Sequence, residues 1–283
     1  MIKKLKLHDI AKFLRLFAKY LRIHLKDTMI LRVAAALSYT TLIAVVPLMA
    51  IALAIFSAFP VYGDIRAQVQ DFLIHYFVPD IGQNIQNYMI EFIGASAKLT
   101  TLGVVGIAVT AILLLSTIEN SFNFIFKVKR HRSIATKITL YWTIITLCPL
   151  LLGAAFSLKG YIVTIKYFSN DSLTDFNFLT SVILQNVLTF SVLLLSYIVV
   201  PNKKVRFSSA FSGAFVAFLS IMVLRHGFGY FLILNVTYKT LYGALASFPI
   251  LLIWMYSWWT TILFGAVFTS VLEEFRNKKR LWK

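Results

Sequence analysis

Apolar residues dominate six long stretches of this chain, 33–57, 101–126, 138–158, 179–200, 208–234 and 244–272, and polar residues fill the intervals between them. Each stretch reaches the roughly 20 residues that cross a ~30 Å hydrocarbon layer as helix. The pattern predicts an all-α, polytopic membrane protein with six transmembrane helices in one domain, 33–272. Flanking it are a leader, 1–32, and a short basic tail, 273–283. The first stretch is too long for a signal-peptide core and is expected to stay as an uncleaved anchor.

The leader has its own rhythm. Ile10, Phe13, Leu14, Phe17 and Leu21 recur at helical spacing, with Lys12, Arg15, Lys19, Arg22 and Lys26 on the opposite face. A basic amphipathic helix of this kind is expected to lie on the inner leaflet, held by anionic headgroups. The interval 58–100 contains two amphipathic pieces, Val69–Phe77 and Ile85–Ile93, separated by Pro79. They predict a helical hairpin on the external side, too apolar for a free loop. The interval 159–178 reads as an ordinary turn.

Charge orients the spans. Lys and Arg number nine before the first span, five between the second and third, three between the fourth and fifth, and five after the sixth. The alternate intervals together hold five, Arg66, Lys98, Lys159, Lys166 and Lys239, mixed with acids. The positive-inside rule then puts both termini in the cytoplasm. The same bias accounts for the net charge of +17, so no nucleic-acid partner is inferred. A mean hydropathy of +0.79 with 59% hydrophobic residues excludes a soluble globular class.

Chemistry is sparse. The single Cys148 and the scattered His8, His24, His75, His131 and His226 offer no metal-ligand spacing. No P-loop, nucleophile elbow or dinucleotide fingerprint is present, so neither a cofactor nor an enzymatic activity is expected.

Two ionisable residues fall within spans, Glu119 and Arg225, and such groups are functional candidates because the bilayer makes them costly. Glu119 lies about seven residues, ~10 Å, from the inner end of its helix. Ser116, Asn120 and Asn123 share its face, and Ser38, Tyr39, Thr40, Thr41, Ser196 and Tyr197 fall at similar depth. Arg225 and His226 lie in the outer half, near Gln185 and Asn186. The two depths differ by roughly 15 Å, which predicts two sites rather than an ion pair. A substrate is expected to contact Arg225, His226, Gln185 and Asn186 at one, and Glu119, Asn120, Asn123, Ser38 and Tyr39 at the other.

Pro47, Pro149 and Pro249 are expected to bend their helices and are candidate hinges. Ser209, Gly213 and Ala217 form a small-residue stripe for close packing, either within the chain or in a homo-oligomer. Trp254, Tyr256, Trp258 and Trp259 fall in mid-span, as for packing or a cavity rather than an interfacial belt.

Four strings, in this order and spacing, resemble the YihY/virulence factor BrkB family: Ala34-Ala35-Ala36-Leu37-Ser38-Tyr39 with Pro47; Glu119-Asn120-Ser121-Phe122-Asn123; Pro201-Asn202-Lys203-Lys204-Val205; and Tyr242-Gly243-Ala244-Leu245-Ala246-Ser247-Phe248-Pro249. The resemblance implies a six-span bacterial inner-membrane protein, in a family once labelled ribonuclease BN and linked through some members to envelope lipid transport. No residue here supports ribonuclease chemistry. Where the family commonly has Gly-Ala-Glu late in the last span, this chain has Gly265-Ala266-Val267. The expected function is a transporter or lipid-handling protein for an amphipathic or anionic envelope molecule, with a non-transporting scaffold as the alternative.

Overall fold

The computed structural model describes residues 7–58, 101–130, 132–147, 150, 173–234 and 247–281. These form the helices α1 (Leu7–Asp27), α2 (Ile30–Ala58), α3 (Thr101–Ile125), α4 (Ile134–Leu147), α5 (Leu173–Val199), α6 (Phe207–Leu234) and α7 (Ser247–Leu281), with no strand among the described residues. The expected external hairpin, Pro149 and the 235–246 connection lie outside the described residues.

Among the described residues, Ala108–Ile125, Phe207–Phe231 and Phe248–Arg276 are long and apolar enough to cross a membrane. A fourth candidate is the pair Arg15–Asp27 and Ile30–Val45, bent by 51°. Ile134–Leu147 and Gln185–Val199 are shorter apolar helices at the places of the expected third and fourth spans.

Local chemistry sets several helix ends. At the end of α3, the Val128 amide donates to the Asn123 carbonyl (2.9 Å) and the Lys127 amide to that of Phe124 (3.1 Å). This Schellman pattern requires a left-handed residue, supplied by Lys127 at φ 51°. Ser133 accepts the Thr136 amide (3.4 Å) and so caps the start of α4. Pro201, which cannot continue a helix, follows the end of α5. Met29, at φ 45°, makes the joint between α1 and α2.

Some boundaries differ from the hydropathy pattern. α5 begins at Leu173, inside the interval expected to be a turn, and α7 continues to Leu281, through most of the basic tail. Hydropathy marks where lipid ends, whereas the backbone hydrogen-bond ladder continues into water when the side chains permit it. Pro249 is the third described residue of α7, and the residues before Ser247 lie outside the described residues. Pro47 lies within the continuous helix α2.

α7 is the centre of the bundle, with α6, α2, α1 and α3 packed on it. Its contact with α6 is backbone to backbone. A Cβ at Gly213 would lie 2.8 Å from the Gly265 carbonyl oxygen, and one at Gly265 would lie 2.6 Å from the Ala217 Cβ. The Ser209/Gly213/Ala217 stripe is thereby buried against α7 of the same chain, which corrects the homo-oligomer use of that face. Small residues let two helices approach, and the nearest apolar partner was intramolecular. Val267, at the position where the resemblance leads to the expectation of an acid, is fully buried in the apolar core.

α1 also packs differently from the amphipathic expectation. Phe17 stacks edge-on against Phe268 (5.1 Å) and Phe275 (6.4 Å) of α7. Leu21 and Leu25 join the same core. That face of α1 therefore rests on protein. The side chains of Ile10, Phe13 and Leu14 lie outside the described residues.

Candidate functional site

Glu119, two turns from the end of α3, is 1% exposed. The Tyr141 hydroxyl of α4 donates to its Oε2 at 2.5 Å, and Asn123 Nδ2, one turn along α3, donates to its Oε1 at 3.3 Å. Arg132 Nη1 lies 3.8 Å from the same Oε1. Every neighbour is a donor, the set that a carboxylate can satisfy.

Each donor is anchored elsewhere. Arg132 donates to the last carbonyls of α5, Val199 (2.7 Å) and Val200 (3.1 Å), which have no helical partner of their own. Asn123 Oδ1 accepts the Asn202 amide (2.8 Å). Because a carboxylate only accepts and a backbone N–H only donates, the orientation of the Asn123 amide is fixed by its two partners. Asn202 Nδ2 in turn donates to the Arg130 carbonyl (2.8 Å). The Glu119 carboxylate thus ties α3, α4, the 127–132 connection and the 200–206 connection together.

A second layer closes the same end. The carbonyl of Ile125 accepts from His24 Nε2 of α1 (3.2 Å) and from Ser270 Oγ of α7 (3.1 Å), and the Phe126 carbonyl accepts from Lys203 Nζ (3.0 Å). Arg206 Nε pairs with Glu273 of α7 (3.5 Å), and Arg276 donates to Ser208 and Ser209. The four basic intervals of the sequence therefore meet at one end of the bundle. In the α1 leader, before the first apolar stretch at 33–57, burial pushes the His24 imidazole below its ordinary range, the Ile125 carbonyl opposes that shift and Lys127 adds to it.

The other sequence candidates divide. Ser38 is buried, but its hydroxyl donates to Ala35 of its own helix (2.8 Å), and Tyr39 turns outward, 63% exposed. Asn120, adjacent to Glu119, is exposed. Thr41 accepts from Trp259 Nε1 of α7 (2.9 Å). Tyr197 is buried and donates to the Ile262 carbonyl (2.7 Å), packing α5 on α7 rather than joining Glu119. Arg225 lies over the Trp258 ring (5.6 Å), a cation–π contact on α7. His226 is exposed and bonds the Met222 carbonyl (2.9 Å). Gln185 and Asn186 are half-buried on α5.

Sequence reasoning missed Arg132, Tyr141, Asn202, His24 and Ser270. Arg132 entered only as a topological charge. One signal was available for Tyr141: it is an early hydroxyl in its span, near the same boundary as Glu119.

The sequence matches the protein family described as virulence factor BrkB over residues 23–283. It is similar to the UPF0761 membrane protein of Rhodospirillum rubrum, with 42% identity over 251 residues, 88% of this chain and 57% of that protein. The UPF0761 membrane protein of Aeromonas salmonicida is 35% identical over 247 residues, 86% of this chain and 84% of that protein. That of Vibrio atlanticus is 32% identical over 272 residues, 96% and 87% of the two chains. The chain spans little more than half the length of the two Rhodospirillum relatives, 57% and 55%. No solved structure matches it.

Proposed function

The chain belongs to the virulence factor BrkB family of membrane proteins, and from that premise we propose that it is an inner-membrane transporter or lipid-handling protein for an amphipathic or anionic envelope molecule. In this proposal the chain crosses the membrane six times, both termini are cytoplasmic, and the Glu119 network is the closure of the cytoplasmic end.

The observation that carries the proposal is a carboxylate, 1% exposed, inside a membrane helix and bridging two helices and two connections. A charged side chain at membrane depth costs at least ~2.5–3.5 kcal/mol at a helix centre, so a purely packing role would be served more cheaply by an apolar residue. An ionic closure differs from apolar packing in that loss of one charge releases several elements together. Support for six spans comes from the two shorter apolar helices beside the longer candidates. The meeting of all four basic intervals at one end supports the orientation.

The test is flux in vesicles reconstituted with the full chain, using a fluorescent phosphatidylglycerol as probe. Wild-type protein is expected to move the probe between leaflets faster than protein-free vesicles, and Arg225→Ala and Glu119→Gln to lower that rate about tenfold. Equal rates in all three proteins would remove both residues from the pathway.

The scaffold reading is favoured by one feature: three donors of the bundle, Tyr141, Asn123 and Arg132, already converge on the Glu119 carboxylate. It predicts wild-type vesicles indistinguishable from protein-free ones.

A further inference from the structure

α1 carries two separate apolar faces, and among the described residues only one of them is covered. Toward the bundle it presents Phe17, Leu21, His24, Leu25 and Thr28, clamped by the Phe268 and Phe275 rings and by the hydrogen bond of His24 to Ile125. On another side Leu16, Tyr20 and Ile23 are 43%, 37% and 49% exposed, spaced at i, i+4 and i+7. Beside them stand the exposed basic residues Arg15, Lys19, Arg22 and Lys26. Tyr20 touches the Phe275 ring edge (5.8 Å) and so forms the border between the two faces.

We infer that Leu16, Tyr20 and Ile23 seat α1 in the headgroup boundary of an anionic phospholipid leaflet, with Arg15, Lys19, Arg22 and Lys26 contacting its phosphates. Charge complementarity argues for this occupant: the exposed side offers a row of cations with Asp27 as its one described acid. Continuity argues for it too. The row of exposed apolar groups leads into Met29 and Leu31, 52% and 56% exposed, at the root of α2, a helix that continues into apolar sequence. A protein partner would need an acidic apolar groove reaching that root, whereas a leaflet is already there for any chain whose α2 enters the membrane.

The inference departs from an ordinary amphipathic anchor in one respect. The lipid-facing residues are not the ones that hold α1 to the protein, so α1 can bind the leaflet without leaving the bundle. The same helix places His24 on the α3 terminus. The lipid contact itself does not depend on the chain being a transporter.

The full chain carrying Cys148→Ser and Ile23→Cys, labelled with a nitroxide, is placed in nanodiscs of phosphatidylcholine with or without phosphatidylglycerol. Collision rates with oxygen and with a water-soluble nickel chelate then report depth. The inference predicts a label rich in oxygen and shielded from nickel in the anionic discs. It also predicts a severalfold rise in nickel collisions when Lys19→Glu and Arg22→Glu are added, and the same rise in the unreversed protein as salt is increased. A label equally open to nickel in both lipids would overturn it. So would a label shielded from both reagents, which means that protein covers the stripe.

Discussion

Arg132 lies 3.8 Å from the Glu119 carboxylate, yet its two hydrogen bonds go to the carbonyls of Val199 and Val200 at the end of α5. The guanidinium is therefore held by a neighbouring helix and lent to Glu119 by position. A buried charge whose partner is removed costs about 3–5 kcal/mol, more than the net worth of the pair. Arg132→Ala is expected to lower the thermal unfolding temperature in detergent more than Glu119→Ala does, because it strands the 1%-exposed carboxylate, whereas Arg132, 13% exposed and still bonded to the Val199 and Val200 carbonyls, gains water when its partner is lost.

Tyr141→Phe removes a single donor to the same carboxylate and keeps the ring. Hydrogen bonds to charged groups are worth about 1.5–3 kcal/mol. In a double-mutant cycle with Glu119→Gln, the loss at Tyr141 should shrink by more than half, because the charge that strengthened it is gone. Additive losses measured by chemical denaturation would separate the two residues.

Gly213→Ala and Gly265→Ala should each damage the α6–α7 contact, since the added methyl would overlap Thr269 Oγ1 in the first case and the Tyr197 hydroxyl in the second, and in both would also lie under 3.0 Å from the facing backbone carbonyl oxygen. Overpacking costs about 1–3 kcal/mol and more where backbones touch. Gly106→Ala and Gly227→Ala, which meet nothing within 4 Å, are the matched controls. Folded yield after detergent extraction compares the two pairs.

How much of this was legible in the sequence depends on what each residue's partner is. The membrane compels long apolar runs, so the helices, and the place of Glu119 near the end of α3, followed from hydropathy alone. Partners drawn from other helices did not. Asn123 and Asn202 are 79 positions apart, and nothing local marks the bond between them. Adjacent residues also diverge, because ~100° of helix rotation separates them. Ser38 is buried while Tyr39 is exposed, and Glu119 is buried while Asn120 is exposed. Reading polar residues by depth groups such neighbours; the helix separates them. The α1 cations were legible as a face, but the pairing of Phe17 with Phe275 required the unexpected extension of α7.

Lys127 holds a left-handed backbone at φ 51° without being glycine, which costs roughly 1–2 kcal/mol. Its ion pair with Glu274, at 3.9 Å with both side chains exposed, returns little. Lys127→Gly is expected to raise stability by about 1 kcal/mol, visible as a higher unfolding temperature; a lower one would show that the ion pair outweighs the backbone strain.

His24 makes the docking of α1 sensitive to acid. Burial lowers its folded-state pKa below the ordinary 6.5, against opposing contributions from the Ile125 carbonyl, Glu274 and Asp27. The unfolded chain then binds the proton more readily, so the contribution of His24 to stability is complete above about pH 6.5 and is lost as pH falls through the lowered value. Hydrogen exchange of α1 amides should accelerate on acidification relative to those of α6. His24→Asn should flatten that dependence.

The central claim is that the Glu119 network holds one end of the bundle closed, and Ser116, one turn before Glu119 on α3, reports on it. In a Cys148→Ser background, Ser116→Cys in sealed inside-out membrane vesicles is exposed to a charged maleimide, and its labelling rate is measured with Glu119 intact and with Glu119→Gln. The account predicts slow labelling in the first protein and at least a tenfold acceleration in the second, with the unfolding transition still present in both. Equal rates in two folded proteins would contradict it.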